Sequence, residues 1–169
     1  RVYWTLVAFV SLVAIALLAS SANVSAQTRP AAEQATSDRI KVNGKFVPPG
    51  FAIATNSTVE SGPKSSAVVS LGKLGRVEVL PSSKMKITFD DTHINVALSS
   101  GGARVFKAEG ATALVTTKDG EVSANTPLAG SFTVDTECGD SWVNAHDISV
   151  GLRLHGETRM LLPGARSTA

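Results

Sequence analysis

The sequence is poor in three things on which chemistry often depends. It has one cysteine among 169 residues, aromatic residues make up 5%, and sixteen Lys and Arg against fourteen Asp and Glu leave a net charge of +2. A single thiol, Cys138, excludes an intramolecular disulfide and cannot build a thiolate metal site, so stability must come from packing. Cys138 reads as a small, half-buried turn residue, and the flanking Glu137 and Asp140 disfavour its thiolate. Charges of both signs are interleaved along the chain, which describes a solvated surface rather than a nucleic-acid footprint. Trp142 is the only tryptophan after Trp4 and no tyrosine follows Tyr3, so flat platforms for stacking sugars are scarce.

Motifs of catalysis are missing as well. There is no Gly-x-Ser-x-Gly elbow, and Gly101-Gly102 opens a strand-like run rather than a helix, so it lacks the helix N-terminus that cradles phosphate. His93, His146 and His155 are scattered among predicted turns. His93 follows Asp90-Asp91-Thr92 and His146 precedes Asp147, an arrangement that Asp-rich turns explain without chemistry. Asp135, Glu137 and Asp140 could offer oxygen ligands to a hard cation, but a solvated turn near the sheet edge is the preferred reading. No catalytic, cofactor-binding or metal site is therefore assigned, no cofactor is expected, and the chain is read as non-enzymatic.

What is present begins with an apolar stretch, residues 2–19, followed by small residues ending Val24-Ser25-Ala26. This pattern predicts a hydrophobic helix acting as a signal peptide over 1–26, with an uncleaved membrane anchor as the rival reading. Both place the remainder outside the cytoplasm, in the periplasm or beyond. Residues 27–40 are rich in Ala, Thr and Ser, contain Pro30, and read as a flexible linker.

From residue 41 to 169 the pattern is one of short alternating runs. Met85, Ile87 and Phe89 alternate with Lys84, Lys86 and Thr88, and Ile94, Val96 and Leu98 continue the series. Period two means strands with one wet face. Pro81-Ser82, Gly101-Gly102 and Asp119-Gly120 punctuate the runs as turns, with Asp119-Gly120 the strongest hairpin signal. No amphipathic helix of ordinary length follows residue 41. The expectation is one all-β domain of about nine to twelve strands, arranged as a sandwich, a jelly roll or a short β-solenoid.

The order of these runs resembles the FecR-like domain, an extracytoplasmic β module of bacterial envelope and signalling proteins. Four segments carry the resemblance: residues 59–71, where Gly62-Pro63 leads into Ala67, Val69 and Leu71; residues 75–83, with Val77, Val79 and the Pro81 turn; residues 96–106 around Gly101-Gly102; and residues 115–122 followed by 131–134. The chain departs from the pattern at Lys73-Leu74-Gly75, where an Asp-Gly turn is usual, and only Arg1 precedes the apolar stretch. The resemblance implies a domain built for contact, with no family catalytic residues to transfer; sigma-factor regulation is not carried over, because the cytoplasmic arm that performs it in some members is not visible here. The expected role is signal sensing or protein-protein interaction at the envelope, with an envelope protein as partner, no nucleic acid, and membrane contact only through an uncleaved anchor. The alternative is a structural or lipid/lipopolysaccharide-binding jelly-roll envelope protein, and an open groove lined by Met85, Ile87, Phe89, Val96 and Leu98 would favour lipid.

Overall fold

The computed structural model describes residues 39–137, 140–154 and 156–168, with Leu154 as backbone alone. The expected leader with its helix, residues 27–38 of the expected linker, Cys138 and His155 lie outside the described residues.

Alternation of apolar and polar residues produces strands throughout. In chain order they are β1 (Ile40–Val42), β2 (Lys45–Phe46), β3 (Ser57–Ser61), β4 (Ala67–Ser70), β5 (Gly75–Val79), β6 (Lys84–Phe89), β7 (His93–Lys107), β8 (Thr112–Thr116), β9 (Gly120–Ala124), β10 (Gly130–Glu137), β11 (Asp140–Ala145), β12 (Val150–Leu154), β13 (Glu157–Leu161) and β14 (Arg166–Thr168). One 3-10 turn, Gly72–Leu74, is the only helical element among the described residues. In β6 the rule is plain: Met85 and Ile87 are buried while Lys84, Lys86 and Thr88 face water.

The strands form two layers that share one member. The first runs β13-β12-β9-β8-β7-β6-β3-β1-β2, and the second β4-β5-β7-β10-β11-β14. The early part of β7 pairs with β6 and β8, and its later part, from Gly101, with β5 and β10. Because β7 has 15 residues, a straight course would carry its ends about 46 Å apart at ~3.3 Å per residue. Yet Thr112 already lies beside His93 in the first layer, and the five steps from Lys107 to Thr112 reach at most about 18 Å. The strand must therefore double back, stacking the second layer on the first. Val59, Ile87, Val96 and Val115 of one layer and Val69, Val77, Val105 and Phe132 of the other belong to a single buried cluster.

The fold-back sits at Gly101-Gly102. Gly101 has φ +71°, and a Cβ there would lie 2.4 Å from Ser83 Oγ, 2.6 Å from Ser82 O and 2.7 Å from Ser83 Cα. Backbone groups at a bend need partners; the Leu80 amide donates to Gly102 O at 3.0 Å, and side chains supply the rest. The Gly102 amide donates to Ser83 Oγ at 2.8 Å, the Ser83 hydroxyl donates to Gly102 O at 3.0 Å, and the Thr136 hydroxyl donates to Gly101 O at 2.9 Å. Ser61 fastens the same corner from β3, accepting from the Ser83 amide at 2.9 Å and donating to Leu80 O at 2.5 Å.

Four expectations change in detail. Among the described residues fourteen strands replace nine to twelve, because β2, β13 and β14 are short or peripheral and carry little alternation. Gly101-Gly102 is not a turn between two strands but a bend inside one. The expected hairpin is present, but Thr117 donates to Gly120 O at 2.8 Å, so Lys118-Asp119 forms the turn. Among the described residues, positive φ outside glycine is confined to Asn43, Asn56 and Ser82, and Asp119 is not one of them. The strand β1 begins at Ile40, which is buried, at the last position of the expected linker.

The corner yields a paired prediction. Gly110 also has positive φ, +74°, but a Cβ there meets nothing within 4 Å. Gly110→Ala should cost about 1 kcal/mol, the left-handed backbone penalty alone, and Gly101→Ala about 2–4 kcal/mol, since backbone must also move. Urea denaturation midpoints of the two variants would decide; equal losses would mean that the corner is loosely packed.

Candidate functional site

The residues singled out in the sequence do not converge. His93 closes a turn in which Asp90 Oδ1 accepts the amides of Thr92 at 2.8 Å and His93 at 2.9 Å, with His93 Nδ1 at 3.0 Å. The Thr92 amide above all, then the His93 ring and amide, hold the exposed Asp90 carboxyl at about 2. His146 and Asp147 part company: Asp147 Oδ1 accepts the Ser131 amide at 2.5 Å, while His146 Nε2 lies 2.8 Å from Thr133 Oγ1. Glu137 faces Asp140 across β10 and β11, but Asp135 faces Trp142. Among the described residues no group of three His, Cys, Asp or Glu could hold a metal ion.

The row expected as a lipid groove is closed. Met85, Ile87, Val96 and Leu98 are buried and Phe89 packs partly buried against the core. A separate, small apolar hollow lies between Ile40, Phe51, Ile53 and Val69.

Sequence reasoning missed Lys107, which points into the core at the end of β7 and is 2% exposed. Its ammonium donates to Leu128 O at 2.5 Å and to Ala108 O at 3.3 Å, and burial pulls its pKa below the ordinary lysine value. With an apolar stem and a carbonyl-bound head, it ties the crossover from β9 to β10 to the end of β7.

A surface cleft of about 400 Å³ lies on the outer face of the second layer. Its floor is ordered by strand register. One row crosses the sheet as Arg104, Thr133, Asn144 and Arg166, from β7, β10, β11 and β14. The next row, two residues further along β10, is Gly102, Asp135, Trp142 and Thr168. Glu137 lies one step beyond, and His146 leans in over Thr133. The Trp142 indole is 41% exposed, one of the few large apolar side chains in water. Gly102 makes room for Asp135, because a Cβ at Gly102 would stand 3.0 Å from Asp135 Oδ2.

Electrostatics in the cleft is unbalanced. Burial first, and the neighbouring Glu137 second, push the Asp135 carboxyl above its ordinary value. No cation stands within ion-pairing distance of Asp135 among the described residues. A carboxyl whose folded pKa is raised holds its proton longer than in the unfolded chain, so folding stability falls as pH rises from about 4 through the folded pKa. Asp135→Asn cannot ionise and should be more stable than the parent at pH 7 but not at about pH 3, where the parent carboxyl is neutral too. Denaturation midpoints at both pH values test this; a variant weaker at pH 7 would show that Asp135 is a structural anchor.

No family model and no curated protein matches the sequence. The fold does have solved relatives. Two crystal structures of a "putative anti-sigma factor" from Parabacteroides distasonis superpose with a TM-score of 0.57 at 19% identity, over 66% of this chain. The match covers 54% of the length of those structures, so the chain spans about half of them. At that identity the likeness is one of fold.

Proposed function

We propose that the chain is an exported, FecR-like β-sandwich domain that serves signal sensing through contact with another envelope protein and performs no catalysis. The observation that carries this reading is an all-β fold shared with anti-sigma-factor structures, joined to a sealed core. Binding chemistry then has only the outer surface available, where the polar cleft of the second layer lies. The apolar run at 2–19 supports export, and the periplasmic face of the envelope is the compartment it implies. The likeness of fold to structures titled anti-sigma factor agrees with a regulatory role, without carrying sigma-factor binding over to this chain.

A photo-crosslinking residue placed in turn at the exposed positions Phe46, Leu128, Trp142 and Met160 tests the reading in intact cells. At least one position should give a discrete adduct with a single envelope protein. Adducts with lipid alone, or none at any position, would sink it.

A further inference from the structure

The charges of the cleft are sorted along β10. Arg104 and Arg166 stand at the two ends of a row with Thr133 and Asn144 between them, and His146 lies beside Thr133; Asp135 and Glu137 follow toward the far end, with Trp142 opposite Asp135. Arg104 is engaged loosely, its guanidinium 3.5 Å from Glu78 and 3.2 Å from Thr133 Oγ1. Arg166, Asp135 and Glu137 have no ion-pair partner among the described residues. A neutral ligand would leave Arg166 and Asp135 uncompensated while displacing their water, which is costly. A ligand with one charge of each sign would satisfy both, and Glu137, exposed at the end of β10, keeps its water.

The spacing specifies the ligand further. The cationic row and the acidic row are two residues apart on β10, a separation of about 6.6 Å. Successive same-face side chains of any extended peptide have that same interval. Trp142 adds an aromatic face beside the Asp135 carboxylate, a combination that favours a guanidinium or ammonium group.

We propose that this face docks an extended segment of the partner protein in which an acidic and a basic side chain are two residues apart, the acid on Arg104 and Arg166 and the base between Trp142 and Asp135. This rests on the protein-contact function above and names the surface that performs it. The raised pKa of Asp135 agrees with a carboxylate awaiting its cation.

The test uses the full chain carrying Trp4→Phe, which leaves Trp142 as the sole indole of the two in the sequence, so that its fluorescence reports the cleft. Blocked peptides Ser-Glu-Thr-Arg-Ser and Ser-Arg-Thr-Glu-Ser are titrated beside uncharged Ser-Gln-Thr-Gln-Ser. At least one charged peptide should change the emission saturably, with half-saturation near 1 mM or below. Asp135→Asn and Arg166→Gln should each weaken it about tenfold, as loss of one partly buried charge pair does, with circular dichroism verifying that both variants fold. No saturation by about 10 mM, equal binding of the uncharged peptide, or unchanged binding by both variants would overturn the proposal. So would a response to a neutral disaccharide without one to the charged peptides, which would assign the cleft to saccharide. If the envelope adduct forms undiminished in Asp135→Asn and Arg166→Gln, docking at this face fails while the contact function stands.

Discussion

The rest of the structure depends on the fold-back of β7 over Gly101-Gly102. A bend of this kind removes backbone groups from their ladder in a place that water reaches poorly, and such groups must find partners or cost about 1–3 kcal/mol each. Ser83 takes both Gly102 groups at once, and Thr136 takes the Gly101 carbonyl. Ser83 is itself 2% exposed and is gripped by Ser61. The hydroxyls of Ser83 and Thr136 thus supplement the Leu80 amide at the bend, and Ser61 holds Ser83 in place.

The same bend creates the cleft. Once β7 has crossed into the second layer, its outward residues are set by register against β10, β11 and β14, so Arg104 stands in line with Thr133, Asn144 and Arg166. Gly102 then has a second role beyond its corner hydrogen bonds. Lacking a side chain, it leaves a hollow that the Asp135 carboxyl enters, and this entry is what desolvates Asp135. Fold and site are joined at one residue.

The sequence disclosed the layers far better than the joint. Alternation in β6, β8 and β10 is strong because each has one face in the core, and period two reports that directly. By contrast β13, with Glu157 through Met160 all exposed, has no dry face to produce a pattern. Paired glycines mark any sharp change of direction, and nothing local tells a turn between strands from a bend within one. The cleft was hidden for another reason: Arg104, Asp135, Trp142 and Arg166 are outward residues of four separate strands, where polar side chains are the default. One local signal was available. Trp142 stands between the inward positions Ser141 and Val143, which puts a large indole on the wet face, and exposed aromatics on a wet face often mark contact.

What sets the second layer apart is an unpaired carboxyl that is partly buried. On the first layer Lys84 meets Glu60 at 2.8 Å and Arg153 meets Glu121 at 3.9 Å, each pair in register on adjoining strands, and Lys86, Glu157 and Arg159, left there without an ion pair among the described residues, are exposed to water. On the second layer matching stops partway. Arg76 stacks over Phe106 at 3.9 Å and Arg104 reaches Glu78, but moving outward to β10, β11 and β14 the acids and Arg166 stand without ion-pair partners among the described residues. Exposed pairs contribute little to stability, so folding alone exerts weak pressure for either arrangement. A half-buried carboxylate without a cation does oppose folding, however, and a neutral residue at position 135 would remove that cost. The cost is intelligible where a partner supplies the missing charge, and it falls on the face that the fold-back of β7 assembles.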